Sequence, residues 1–326
     1  MFEELLQEWD GEEAVIRYDA ESGAWMFVCI HSTACGPAGG GTRLRVYPTP
    51  ADGLADAMRL SGAMTRKMAL AGMPLGGGKA VLAVPELPEG EARRRLLLRY
   101  GRLVESLGGT FRTAGDMNIT PADLDVVSET CQWVLGSTGR GGDSGRGTAR
   151  GVLHGIEASV EHIFGSPDLD GRSVLVADVD EERAGRVATE IGGELIPVQD
   201  ALTTECDVYA PCAIGGTLSA ATIPTLGCRI VAGSANNQLV EPEDAARLHA
   251  AAILYAPDYV INAGGVLQLA GLENLGWDEA ELERSLAGIG DTLRGLYRDA
   301  DANGITPAEA AERLAAARVA AALSSK

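Results

Sequence analysis

A chain of 326 residues has room for two domains, each with a core of its own. With 46% apolar and 22% charged residues it has the make-up of a globular protein rather than a disordered one. A formal net charge of -19 argues against nucleic acid, whose phosphates need a basic face, and against an anionic membrane surface.

In the N-terminal part, Ala24–Ile30 (AWMFVCI) and the alternating Thr42–Val46 (TRLRV) read as strands. Residues Pro50–Ala71 have helical spacing, with Leu54, Ala57, Met58, Leu60 and Met64 on one face and a plausible cap before them. A glycine-rich turn, Gly76–Lys79, then leads into a strand over Ala80–Val84. This turn is not a phosphate loop, because Met73 stands where the first glycine of GxxxxGK[ST] belongs and Ala80 replaces the hydroxyl. Helices are expected over Glu91–Leu107 and Asp123–Leu135, with a strand over Thr110–Ala114 between them. Gly136–Thr148, rich in glycine and serine, reads as a linker.

Beyond it, a helix over Ala149–Phe164 opens an α/β region. Strands are expected over Ser173–Val179, Asp207–Ala210, Arg229–Ala232 and Ala252–Tyr255, separated by helical stretches in the manner of a parallel sheet. Two long helices, about Asp278–Ala300 and Pro307–Leu323, close the chain. None of the six cysteines forms a CxxC pair, and no secretory segment opens the sequence, so a cytoplasmic setting is expected. The four histidines lack metal-ligand spacing and no metal is expected; His154 and His162 read as structural or solvated. No run of about 18 apolar residues free of charge or glycine suggests a membrane span.

Four segments stand out in the first half: Gly39-Gly40-Gly41-Thr42-Arg43, Met64-Thr65-Arg66-Lys67, Leu75–Ala80 and Thr113-Ala114-Gly115-Asp116. Ala210–Ala213, Ala232–Leu239 and Ala256–Gly265 follow in the second. Together they resemble the amino-acid dehydrogenases that act on glutamate, leucine, phenylalanine and valine, the leucine, valine and phenylalanine enzymes most closely, and the likeness spans about residues 25 to 280. The resemblance implies that Lys67 holds the substrate carboxylate, that Lys79 is the catalytic lysine and that Asp116 exchanges a proton with the amine. It places Gly40, Gly41, Met64 and Asn262 at the substrate, Thr148 and Asn236 near a nicotinamide, and Asp178 at a ribose.

Elementary chemistry supports the same types. A carboxylate needs a permanent cation. A second lysine crowded by the first loses its proton more readily and can act as a base near neutral pH. Leu44, Met68, Val266 and Leu269 hint at an apolar substrate side chain and could equally be core.

The sequence departs from the resemblance in one place. A dinucleotide domain uses strand, GxGxxG, helix and strand, with an acidic residue about 20 positions after the glycines. No GxGxxG or GxGxxA occurs anywhere in the chain. Leu169–Val176 resembles the lead-in and first strand, and Ala177–Asp180 the end of the second, as if the unit between had been deleted. Hydrogen bonds to charged groups contribute about 1.5–3 kcal/mol each, so losing three costs about 5–9 kcal/mol, enough to move a micromolar ligand past millimolar. Asp143–Thr148 also lacks the family's proline, and Asn118 replaces a glycine.

The expectation is therefore an α/β protein of two domains. One is an α+β substrate and oligomerisation domain over residues 1–135 with the C-terminal helices (about 285–326). The other is a truncated Rossmann-like parallel-sheet domain over 136–284. The first reading is imine chemistry on an α-amino acid or 2-oxo acid at Lys79 and Asp116 (formation, hydrolysis or tautomerisation), with hydride transfer lost. On that reading no cofactor is expected, NAD entering only through another phosphate site. The second reading is an NAD-dependent dehydrogenase of a branched-chain or aromatic amino acid. The third is a non-catalytic binding or assembly subunit. The expected partners are a small molecule and further copies of the chain in a homo-oligomer, a dimer or higher.

Overall fold

The computed structural model describes residues 2–138 and 144–325. They form two compact units. The first is built on the N-terminal 147 residues with Gly265–Ser285 and the tail from Glu312, and the second on Thr148–Gly264 with Leu286–Ala311.

The first unit contains α1 (Phe2–Glu8), β1 (Glu13–Asp19), β2 (Ala24–Ser32), β3 (Ala38–Arg45), α2 (Pro50–Leu70), β4 (Gly76–Ala83), α3 (Gly90–Glu105), β5 (Phe111–Gly115) and α4 (Pro121–Ser128). The strands make one sheet in the order β1-β2-β4-β3-β5. β3 runs parallel to both neighbours, and β2 is antiparallel to β1 and β4. Helix α2 starts at a reciprocal cap, Thr49 with Asp52, and Pro50 presets its first turn. Its Leu54, Ala57 and Met58 pack on Phe27, Cys29, Val81 and Ala83, one face of the sheet. The alternate residues Met26, Val28, Ala80 and Leu82 meet Leu96, Leu97, Tyr100 and Leu103 of α3 on the other face. Leu44 belongs to this second core and is fully buried, so it lines no substrate pocket.

The glycines expected to form a turn at 76–79 instead open β4, every residue of which is buried. They permit close backbone packing. A Cβ on Gly77 would stand 2.1 Å from the backbone nitrogen of Thr65 in α2, so the helix can lie this near the strand only over a glycine. Helix α4 is shorter than expected because the chain turns extended after it: Thr113 donates its N–H to Trp133 at 2.9 Å, and Leu135 donates to Thr113 at 2.8 Å.

The chain continues through α5 (Ser144–Phe164), β6 (Leu175–Val176), α6 (Glu181–Ile191), β7 (Glu194–Leu195), β8 (Val208–Tyr209), β9 (Ile230–Val231), α7 (Asp244–Ala250), β10 (Leu254–Tyr255), α8 (Asp258–Ile261), α9 (Gly264–Ala270), α10 (Glu279–Asn303) and α11 (Pro307–Ser324). Helix α5 takes in Ser144–Thr148 of the expected linker, and residues 139–143 lie outside the described ones. The strands of the second unit are all parallel and form two sheets among the described residues, β6-β7 and β10-β9-β8. β6 is shorter than expected because Asp180 caps a helix there, its Oδ1 accepting from the Arg183 N–H at 2.9 Å. Leu218, Val231, Leu248 and Tyr255 centre the local core. Residues 286–311 cluster with this unit rather than with the first. The Tyr297 hydroxyl of α10 bonds Ser159 Oγ of α5 at 2.7 Å, and both side chains are buried.

Gly77→Ala is expected to cost about 1–3 kcal/mol through overpacking against Thr65. Urea unfolding of the variant against the wild type measures it; equal midpoints would show that α2 can withdraw freely.

Candidate active site

The geometry centres on β3. Parallel register sets Thr42 beside Ala80 of β4 and beside Gly115 of β5. Lys79, Gly41, Arg43 and Asp116 therefore share one face of the sheet, the face on which α2 packs. Lys79 projects from β4 and Asp116 follows β5, so a contact between them must pass over β3. It does so at Gly41, where a Cβ would lie 2.9 Å from the Cβ of Asp116 and 2.6 Å from the Gly115 carbonyl oxygen. With glycine there, Lys79 Nζ reaches Asp116 Oδ2 at 2.8 Å. Gly40 has a different part: its missing Cβ would stand 1.8 Å from the Gly78 carbonyl oxygen, so it serves strand packing.

Lys79 is 7% exposed and Asp116 27%. Burial holds the Lys79 ammonium below the usual lysine range; Asp116 pulls it back up, and Arg43 pushes it down again. Arg43 is thus a like charge acting on Lys79 that sequence reasoning had not singled out. Burial opposes the Asp116 carboxylate, but Lys79 and Arg43 outweigh it and keep the group below its ordinary value of 3.8. Arg43 donates from Nε to the same Asp116 Oδ2 at 2.8 Å and from its terminal nitrogen to Asp56 Oδ2 at 2.9 Å. Tyr47 and Arg59 also donate to Asp56, at 2.7 and 2.9 Å. Arg43 lay within the glycine motif, but nothing in the sequence pointed to Asp56; only the fold brings it to the strand. Lys67 and Met64 stand half-buried on α2.

In the second unit, Asn262 is buried just after α8. Its Nδ2 donates to Asn236 Oδ1 at 2.8 Å and to the Ser234 carbonyl at 3.2 Å, while its buried Oδ1 has no hydrogen-bond partner among the described residues. Buried Gln238 ties down the Asn236 loop through the Gly233 and Ala235 carbonyls, at 2.7 and 3.0 Å. Thr148 is half-buried on α5. Asp178 lies in the β6–α6 loop, its carboxylate accepting from the Asp180 N–H at 2.9 Å. Asn118, in the place of a family glycine, takes a left-handed φ of 59° and fixes it by donating to the Leu44 carbonyl at 3.0 Å. His154 pairs with Glu157 at 3.0 Å, and the His162 ring lies tilted against that of Tyr297. No metal-binding group occurs among the described residues, and no described helix is long and apolar enough to cross a membrane.

A two-domain α/β chain with a buried lysine–aspartate pair has the frame of an enzyme that moves protons on a small polar substrate. Comparison makes the class particular. Residues 18–139 match the model of the Glu/Leu/Phe/Val dehydrogenase dimerisation domain, and residues 147–326 that of the Glutamate/Leucine/Phenylalanine/Valine dehydrogenase. The chain is 41% identical to valine dehydrogenase from Streptomyces virginiae, over 94% of this chain and 93% of that one. It is 36% identical to leucine dehydrogenase from Thermoactinomyces intermedius, over 97% and 93%. The crystal structure of L-tryptophan dehydrogenase from Nostoc punctiforme superposes with a TM-score of 0.86 at 35% identity, covering 99% of both chains. The chain belongs to the Glu/Leu/Phe/Val dehydrogenase family. One expectation is overturned: relatives this similar over nearly the whole chain are dehydrogenases, which need a hydride acceptor, so a protein without a cofactor is the wrong reading.

Because the Asp116 carboxyl is held below 3.8, its stabilising effect is present above that pH and is lost as pH falls through its folded value. Asp116→Asn is therefore expected to unfold more readily than wild type near pH 7, with the gap closing in acid. Denaturant midpoints at both pH values check this; a gap constant with pH would contradict the low value.

Proposed function

We propose that the chain is an NAD-dependent amino-acid dehydrogenase, oxidising a branched-chain or aromatic amino acid to its 2-oxo acid and ammonia. The Lys79–Asp116 pair carries the reading: a buried lysine short of its usual proton affinity, bonded to a carboxylate that remains partly open. Lys67 holds the substrate carboxylate as a fixed cation. Gly41 and Met64 border the substrate, and Gly40 keeps β3 close against β4 beside them. Neutral Lys79 takes the proton from the water that attacks the imine carbon, and Asp116 exchanges a proton with the departing amine. Asn262 Oδ1, buried without a partner, suits a donor, and the substrate amine is one.

When bound, NAD supplies the acceptor for the hydride that leaves the substrate Cα. The second unit suits its nicotinamide end: parallel strands place loops at their carboxyl ends, where such folds take ligands, and Asn236 stands there bonded to Asn262. Thr148 is assigned to the same end and Asp178 to the ribose. For the phosphates, we propose that the strand–GxGxxG–helix unit is missing from this chain. Three observations support this. The motif is absent. β6 runs directly into Asp178 and α6. The parallel strands part into β6-β7 and β8-β9-β10, and in the order 3-2-1-4-5-6 a first strand would stand between those sheets. The alignment with the valine dehydrogenase, 337 residues long against 94% of this chain's 326, leaves room for a gap of that kind. The phosphates are then held by other groups. The dimerisation-domain match supports a homo-oligomer, and six free cysteines suit a reducing cytoplasm.

NADH formation from NAD⁺ with valine, leucine, phenylalanine and tryptophan tests the reading, with Lys79→Ala as control. Turnover in the wild type and a loss of about 10²–10⁴-fold in a folded Lys79→Ala variant are expected. Unchanged turnover in that variant would remove Lys79 from the mechanism.

A further inference from the structure

Arg43 has a place in the site that the lysine–aspartate pair does not account for. It stands two residues beyond Gly41 on the same strand face, and its side chain is only 13% exposed. A guanidinium that far from water needs a reason, since it loses hydration that a surface arginine keeps. It is gripped at both ends: Nε on Asp116 Oδ2 at 2.8 Å and a terminal nitrogen on Asp56 Oδ2 at 2.9 Å. Asp56 is in turn fixed by Tyr47 and Arg59. Asp116 Oδ2 thus receives both Arg43 and Lys79 at 2.8 Å, which leaves Oδ1 outside both bonds.

We propose that Arg43, held by Asp56, is a positioning residue for the reaction: it fixes the carboxylate of Asp116 and places a permanent positive charge beside Lys79. The inference rests on Lys79 and Asp116 carrying the chemistry. Arg43 leaves Oδ1 of Asp116 as the oxygen available for the amine proton. It also opposes a second positive charge on Lys79, while Asp56 favours one. The charged groups that act most strongly on Lys79 include Asp116 after β5, Arg43 on β3 and Asp56 on α2. Arg59 and Tyr47 act through Asp56, and Lys67 is the other candidate-site cation on α2. Cys29, its register partner on β2, is a thiol pushed up to about 12 and carries no charge.

The test is the pH profile of kcat/KM for amino-acid oxidation in Arg43→Gln, Arg43→Lys and Asp56→Asn. Removing the cation in Arg43→Gln should move the acid limb to higher pH by about one unit. Removing the anion in Asp56→Asn should move it to lower pH. Arg43→Lys keeps the charge but not the two-ended grip, so its limb should stay near the wild type while kcat falls. Opposite displacements are the signature of a charge effect; a merely structural disturbance would lower activity without them. Limbs that coincide in all variants, or that move the same way in Arg43→Gln and Asp56→Asn, would overturn the proposal. If Lys79→Ala is inactive in the same assay, that failure belongs to Arg43 alone; if Lys79→Ala retains full turnover, the reading of the pair fails first.

Discussion

Burying a lysine ammonium without a partner costs several kcal/mol, and Lys79 sits in a strand with no exposed residue. What makes the position tenable is one carboxylate oxygen, Asp116 Oδ2, reached across a strand that carries glycine at the crossing point. Much of the first unit serves that contact. The parallel register of β3 with β4 and β5 lines up Lys79, Gly41 and Asp116; α2 covers the face; Arg43 and Asp56 pin the carboxylate from the far side. The arrangement sets two opposed effects on Lys79. Burial and Arg43 favour the neutral form that can act as a base, and Asp116 restrains them.

The second unit answers to a different constraint. Parallel strands need neighbours on both edges unless something covers them. Here β6 and β8 are each paired on one side only among the described strands, and both are half-buried, whereas β9, paired on both sides, is fully buried. The parting of the sheet and the absence of GxGxxG fall in the same stretch of chain. The second unit has a tied loop at Ser234–Gln238 and a buried acceptor on Asn262.

Much of this was legible in the sequence, for physical reasons that differ by region. Helix α2 was plain because one-sided burial imposes a period, and strand β2 because burial on both faces leaves a short apolar run. The lysine–aspartate pair was legible only through the joint motifs; singly, Lys79 after three glycines reads as a turn. That reading failed because the glycines are required by what lies over them, the Thr65 backbone above Gly77, and no local pattern reports a neighbour distant in sequence. Leu44 stayed open between pocket and core for the same reason; it packs in the core with α3. A helical stretch was expected between the strands where α6 lies, but its start was not, because Ala177–Asp180 was taken as the end of a strand whereas Asp180 caps the helix. Asp56 could not be anticipated at all, since its pairing with Arg43 arises where α2 crosses β3.

The central claim is that this lysine–aspartate site serves hydride transfer and not imine chemistry alone. Oxidation of a substrate deuterated at Cα, with NAD⁺ present, tests it most directly. The account predicts one deuterium recovered in the reduced cofactor for each 2-oxo acid and ammonia formed. Loss of the deuterium to solvent, with no reduced cofactor, would contradict it.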